Sequence, residues 1–571
     1  MALQQPAQHS LSGPSPTELF TPKLITVLRE GYRGRDLQAD IIAGLTVAIV
    51  ALPLSMAIAI ASGVGPERGL YTAVIGGFII SALGGSRFQI GGPAAAFTVL
   101  VSATVARHGV DGLLLATAMS GAMLLLLGLL RLGSYIKYIP YPVTVGFIAG
   151  IAVIILIGQI PDFLGLTLLH NPSEIVQKLS AIAAALPSFN AVAAAIAAST
   201  VLVIVVLRRT APRVPGILIA VALSAAAVAV LKLPVDTIGT RFGGIPGSLP
   251  APTLPPLSLA KVQAVLPDAV TFAMLGAIES LLSAMVADGM TGRRHRSNME
   301  LAAQGIANIG SALFGGIPAT GTIARTATNI RSGARGPISG ILHAGFILLF
   351  MLVAAPLASF IPLSALAGVL VVVAWNMAEK NAVAALLRTS RGDAVVLLAT
   401  FLLTIFVGLS EAIVVGFGIG TLLFMHRMAQ STGVAAYIPP IAEDVADDPG
   451  RAPYDAALAT DPDVAVYRIS GAFFFGAAAT VASVLDRIAD QHKAFVIDFS
   501  AVPFIDSTAA NAIETVVRKA HRHGVVVLIA GASPAILTLL SSLRIRPPAV
   551  QFSDDLDAAV ASAHAAVARK E

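Results

Sequence analysis

From residue 39 to residue 429 the chain is almost continuously apolar, broken by short polar stretches. A membrane crossing takes roughly 20 apolar residues. Runs of that order lie at 41–61, 69–85, 112–131, 141–160, 189–207, 214–231, 266–288, 299–314, 337–357, 361–377, 393–409 and 411–428. Two further runs, 93–106 and 319–330, are apolar but too short. As helix, 319–330 rises only about 18 Å, little more than half the hydrocarbon core. Counted as interrupted crossings, they bring the total to fourteen.

The pattern divides the chain into four zones. Residues 1–38 form a polar tail with Lys23, Arg29, Arg33 and Arg35. Residues 39–429 are the membrane zone. Residues 430–462, which include IPPIAEDVADDPGRAP, predict a linker. From 463 to 571, short strands (VAVYRIS, AFVIDFS, GVVVLIAG) alternate with amphipathic helices, a β/α pattern.

Composition supports this division. Of 571 residues, 56% are hydrophobic and 12% charged, about half the charged fraction of a soluble domain. The net charge is only +5 and the basic residues are scattered over loops, so no nucleic-acid partner is expected. Cysteine is absent, which removes disulfides and thiolate-metal sites. The start, MALQQPAQHSLSGPSPTELF, does not read as a signal peptide. With the N-terminus inside, Arg131/Lys137, Arg208/Arg209/Arg213, Arg293/Arg294/Arg296, Arg331/Arg335 and Lys380/Arg388/Arg391 all fall on the cytoplasmic side. The positive-inside rule then puts the C-terminal zone there too, below a plasma (inner) membrane.

The two short runs are related. One opens Gln89-Ile-Gly-Gly-Pro-Ala-Ala-Ala-Phe97, the other Phe314-Gly-Gly-Ile-Pro-Ala-Thr-Gly-Thr322. They occupy the third and tenth crossings, and an odd offset of seven inserts the second copy upside down. Matching interrupted segments in two halves point to a transporter's substrate site. Two unrelated Pro-kinked helices are the plainer alternative.

In this reading Pro93 and Pro318 start two half-helices, since proline suits a first helical turn. The small residues Gly92, Ala94 and Ala95, with Gly321, Thr322 and Ala324, leave the terminal N–H groups open. Helix N-termini are anion sites. Arg325, on one face with Thr322 and Asn329, either adds its charge to that site or snorkels toward Arg331, about 9 Å away. Glu279, mid-crossing with Ser283 one turn later, is a candidate proton carrier, half of a sodium site with Ser283, or a structural partner for Arg325. Asp288, at the cytoplasmic end and ahead of Arg293, reads as an interfacial charge partner. No catalytic constellation, metal-ligand spacing or cofactor motif stands out, so neither an enzyme nor a cofactor is expected.

These blocks resemble the SulP family of anion transporters. The resemblance rests on GVGPERGLYTAVIGG, QIGGPAAAF, LGAIESLLSAMVADGMTGRRHRSNMELAAQGIANI and GGIPATGTIARTATNIRSGARGPISG, and runs over 39–571. The Glu279 block and LPLSAL…VVVAWNM are most similar to a branch carrying four-carbon dicarboxylates; other members carry sulfate, bicarbonate or chloride. The resemblance implies an α-helical polytopic fold, a fourteen-span seven-plus-seven inverted repeat with core and gate domains, and a cytoplasmic β/α STAS domain. It implies a small-anion site between the third and tenth crossings, faced by Pro53 and Leu54 of the first and by the eighth, and usually a homodimer. Glu279 and Ser283 match a sodium-holding pair of bicarbonate carriers, although glutamate there accompanies proton coupling in other bacterial members. Arg325 matches the family arginine, Ala324 replaces a serine found in some animal members, and Leu54 replaces a glutamine. Asp506-Ser507-Thr508 resembles the STAS loop whose serine is a phosphorylation site; here the run also reads as a helix cap.

The expectation is a secondary active anion transporter, proton-coupled, with a C4-dicarboxylate favoured and sulfate or bicarbonate next. The STAS domain offers a surface for a cytoplasmic partner. A sodium-coupled bicarbonate symporter, an uncoupled anion channel and a STAS signalling scaffold are the rivals.

Overall fold

A computed structural model describes residues 19–134, 140–168, 172, 174–211, 214–430, 433–436, 463–474, 492–542 and 545–569. Lys137, Arg213 and linker residues 437–462 lie outside the described residues. The chain divides into two compact units, Met1–Phe417 and Gly418–Glu571.

In the first unit the apolar runs become helices. They are α1 Lys23–Arg29, α2 Gly34–Ala61, α3 Pro66–Tyr71, α4 Gly77–Leu83, α5 Thr98–Leu129, α6 Tyr141–Leu164, α7 Ile175–Ala185, α8 Ala191–Thr210, α9 Gly216–Leu231, α10 Ile238–Phe242, α11 Leu259–Thr291 and α12 Ser297–Leu313. After them come α13 Ile323–Arg331, α14 Ile338–Ala358, α15 Leu363–Met377, α16 Lys380–Thr389, α17 Arg391–Phe406 and α18 Leu409–Gln430, which runs on into the second unit. Among the described residues, eight helices are long and apolar enough to cross a membrane. Of these, Ala95–Leu129 makes two passes, because Gly109 breaks it at φ 67°. The shorter α9, α12, α13 and α17 and the broken α3–α4 pair supply the other five of fourteen passes. A π-helical turn, Thr72–Gly76, joins α3 to α4.

The helices form two bundles. In one, α5 packs on α11 and α12, and α14 packs on α2 and α4. In the other, α6 packs on α15 and α17, and α15 on α8. Lipid offers no hydrophobic drive between helices, so close approach matters. Gly121 and Gly305 provide it between α5 and α12: a Cβ on Gly121 would lie 2.6 Å from the Gly305 carbonyl oxygen.

The interrupted segments depart from expectation. Pro93 and Pro318 do not start helices. Pro93 ends strand β1, Gly91–Pro93, and Pro318 precedes strand β2, Ala319–Gly321. The strands pair antiparallel, with Gly91 opposite Gly321 and Pro93 opposite Ala319. Helix begins beyond them, at a 3₁₀ turn over Ala95–Phe97 leading into α5, and at Ile323. The cause is backbone satisfaction, because extended chain inside a membrane must find every hydrogen bond within the protein. Each strand supplies part of the other's ladder, and side chains supply the rest. Asn308 accepts from the Ala319 N–H at 2.9 Å and donates to the Ala319 carbonyl at 2.8 Å. Thr72 accepts from the Ile317 N–H at 2.7 Å, and Thr326 from the Ile90 N–H at 3.1 Å. Thr320 donates to the Gly276 carbonyl at 3.2 Å.

The second unit carries a five-stranded sheet in the order β3 Gly433–Ala436, β4 Val464–Ser470, β5 Ala494–Ala501, β6 Val526–Ala530 and β7 Gln551–Ser553. All neighbours are parallel except β3–β4. Part of the expected linker is therefore edge strand β3. Alternation along β5 sends Phe495, Ile497 and Phe499 toward helices Ser507–Arg522 and Pro534–Ser542, and Ala494 and Val496 toward Leu556–Ala568. Asp506 is the N-cap of the Ser507–Arg522 helix and accepts from the Ala509 N–H at 2.8 Å, while Ser507 is its first residue.

Replacing Asn308 with Leu leaves both backbone groups of Ala319 unpaired. Each is expected to cost about 1–3 kcal/mol. The thermal midpoint of the purified protein should fall by several degrees; an unchanged midpoint would show that the strand pair does not need Asn308.

Candidate anion-binding site

The two bundles enclose a cavity of about 390 Å³. Its floor is the start of the two interrupted segments: Pro93 to Ala96 on one side and Thr322 to Arg325 on the other. Leu54 and Ile58 of α2 and Glu279 of α11 complete the first bundle's wall; Phe147 of α6 and Val373 of α15 face them.

The ribbon holds the two helix starts together. A helix leaves its first N–H groups without intrahelical partners. Thr322, the N-cap of α13, gives them no side-chain bond; its hydroxyl donates instead to the Ile90 carbonyl at 3.4 Å. Ala94, the N-cap of the 3₁₀ turn, has no polar side chain to offer. Two uncapped helix starts therefore converge on one cavity, each with the positive end of its dipole inward.

Arg325 is 2% exposed and turns into this floor. Its Nη2 donates to Ser55 Oγ at 3.1 Å and to the Pro93 carbonyl at 3.2 Å. Its Nε and Nη1 are buried without a partner. The side chain thus reaches under the ribbon rather than toward Arg331. Gly92 makes the room, since a Cβ there would lie 2.1 Å from Nη1.

Glu279 lines the same cavity, with Oε2 buried and unpartnered. It feels the Arg325 charge through space, but no hydrogen bond joins the two. Ser283, one turn away, is fully buried outside the cavity, its Oγ 3.1 Å from Thr326 Oγ1. The structure thus brings Leu54, Pro93, Ala94, Ala95, Glu279, Thr322, Ala324 and Arg325 together, and leaves Pro53, Gly92, Gly321 and Ser283 outside the lining. Gly321 is held tight in the ribbon, where a Cβ would meet Gln89 Nε2.

Sequence reading missed the supports. Glu300 is fully buried and accepts from the Gly85 N–H at 2.9 Å, the Ser86 N–H at 3.1 Å and Gln304 Nε2 at 3.0 Å. Gln89 donates to Ser280 Oγ at 3.0 Å. A signal existed: Glu300, Gln304, Asn308 and Ser311 recur at three- and four-residue spacing along α12, an unusual polar stripe inside a membrane. Asp288 contacts His295 Nδ1 at 2.7 Å and not Arg293.

Residues 37–400 match the model of the sulfate permease family, and residues 455–559 that of the STAS domain. The chain belongs to the sulfate permease (SulP) family. It is similar to the YvdB protein of Bacillus subtilis (strain 168), 42% identical over 88% of this chain and 93% of the relative. It is also similar to the bicarbonate transporter BicA of Synechocystis (strain PCC 6803), 33% identical over 90% of this chain and 91% of the relative. A solved structure of SLC26A9 covers 96% of this chain and 93% of its own at 17% identity and a TM-score of 0.83, which shows the shared fold. As a family member this is a multi-pass anion transporter and not an enzyme.

Removing the Arg325 charge should cost ~1–4 kcal/mol of anion binding in a partly dry site. Arg325→Ala is expected to weaken equilibrium anion affinity from about tenfold to several hundredfold, with Arg325→Lys recovering part of it. Titration calorimetry on monodisperse variants checks this. Unchanged affinity in Arg325→Ala would take the arginine out of the site.

Proposed function

We propose that the protein is a proton-coupled secondary transporter that carries a compact oxyanion, sulfate or bicarbonate, between the two bundles by alternating access. The observation that carries the substrate class is the pair of uncapped helix starts converging beside Arg325. Arg325 is the only basic residue among the described lining residues, and the carboxylates of Glu279 and Glu379 share the cavity with it. The second carboxylate of a C4-dicarboxylate would find no second cation among the described lining residues and would face the like charges of Glu279 and Glu379. This favours one compact charged group over the dicarboxylate expected from sequence. Membership of the sulfate permease family and the similarity to the bicarbonate transporter BicA support the same two anions.

Glu279 is the coupling residue in this reading. It sits beside the substrate volume with a free carboxylate oxygen, so anion and proton meet within one chamber. Ser283 lies beside Thr326 and outside the cavity lining, so it is not placed as a second ligand next to Glu279, which favours a proton over a sodium ion there. A channel has no use for such a group. The basic loops support cytoplasmic termini in a plasma membrane. A homodimer and a cytoplasmic partner for the STAS unit belong to the same proposal.

Proteoliposomes with imposed pH or sodium gradients and a panel of sulfate, bicarbonate and succinate test this reading. Uptake of sulfate or bicarbonate is expected to follow an inward proton gradient and ignore sodium. Glu279→Gln should abolish gradient-driven accumulation while counterflow exchange persists. Accumulation that stays pH-driven in Glu279→Gln would remove the residue from coupling, and succinate as the preferred cargo would overturn the substrate class.

A further inference from the structure

A second polar pocket, of about 470 Å³, lies away from the transport cavity at the end bearing the basic loops. Four separate stretches build it: Glu30, Tyr32 and Asp36 before and within the start of α2, Arg87 and Phe88 ahead of β1, Arg293 after α11, and Arg335 after α13. These stretches are fixed by bonds that do not use the Arg293 and Arg335 guanidinium groups. Asp36 accepts from the Arg33 N–H at 2.9 Å as part of a capping box. Tyr32 donates to Asp40 at 2.7 Å, and Asp40 accepts from the Arg335 N–H at 2.6 Å.

The charges do not balance. Arg87 forms an ion pair with Glu30, the one acidic side chain here that meets a guanidinium. Arg87 is itself about nine-tenths buried, and its Nε has no partner. Among the described residues, neither Arg293 nor Arg335 has a carboxylate within salt-bridge distance. Next to the pocket, burial and the neighbouring Arg296 and Arg87 hold the Lys23 ammonium below the usual lysine range. Three guanidinium groups around one polar pocket, one with a buried unused donor, make a phosphate-type receptor.

The surroundings indicate where such a phosphate comes from. Leu37, Ile41 and Leu45 follow Asp36 along α2 at four-residue spacing and are all exposed. They form an apolar stripe leading from the pocket along the membrane helix. Ile25 and Leu28 of α1, beside pocket residue Val27, are exposed as well. We propose that this pocket binds the phosphate of an anionic phospholipid headgroup, with its acyl chains along the Leu37–Ile41–Leu45 stripe. Occupancy ties the stretch that enters β1 to the stretch that leaves α13, two ends already joined by the Asn329 Nδ2 bond to the Phe88 carbonyl at 2.9 Å.

The test uses the full chain purified in a neutral detergent. Its thermal midpoint is followed against added short-chain phosphatidylglycerol, phosphatidylcholine and glycerol 3-phosphate. Phosphatidylglycerol should stabilise with a half-saturation about tenfold or more below either control. The double variant Arg293→Gln/Arg335→Gln should lose that preference, and the single Arg293→Gln, at an exposed side chain, should lose part of it. Arg294→Gln, an exposed neighbour outside the pocket, should retain it. Equal response to phosphatidylcholine, or an unaltered preference in the double variant, overturns the site. Equal response to glycerol 3-phosphate overturns the lipid assignment and leaves a soluble phosphate as the ligand.

Discussion

Six residues of extended chain pair with one another in the middle of a membrane protein, and the candidate anion site is built around that pairing. Hydrocarbon cannot hydrate an N–H or a carbonyl. Two interrupted segments can therefore coexist at this depth only if each serves as the other's partner or finds side chains that reach it. Asn308, Thr72, Thr326 and Thr320 are those side chains. They allow the helices to begin late, at Ala95 and Ile323, inside the protein instead of at its surface. A late start puts uncapped N–H groups beside the cavity, where an anion can accept from them.

The arginine depends on the same ribbon. Arg325 can turn inward because Gly92 has no side chain and because the Pro93 carbonyl, at the end of β1, is free to accept. Ser55 holds the same nitrogen from α2, so three of the elements around the floor converge on one guanidinium. Its remaining buried donors have no protein partner. A floor with unused donors, beside an unpaired carboxylate oxygen on Glu279, suits the proposed coupling of an anion to a proton.

Much of this was legible in the sequence. The crossings followed from the length of apolar runs, and the inverted repeat followed from two matching Gly-Pro segments at an odd offset. What pattern could not show was the pairing. Proline favours a first helical turn, so Pro93 and Pro318 read as helix starts; only the neighbouring strand makes extended chain the better solution there. Glu279 and Ser283 lie on one helical face, yet Thr326 of another helix takes the serine hydroxyl, a contact that sequence spacing does not encode. The helix cap in the second unit shifted for a local reason. Asp506 has the extended backbone an N-cap needs, so it and not Ser507 accepts from the first turn.

The central claim is that the anion sits between the two helix starts that the ribbon holds. The most direct measurement is an electron cryo-microscopy map of the protein at saturating transported anion, with selenate substituting for sulfate if sulfate is the cargo. The account predicts an ordered density in the floor of the cavity, within hydrogen-bond reach of the first N–H groups after Ala94 and Thr322 and beside Arg325. An ordered anion elsewhere in the membrane unit, with that floor empty, would contradict it.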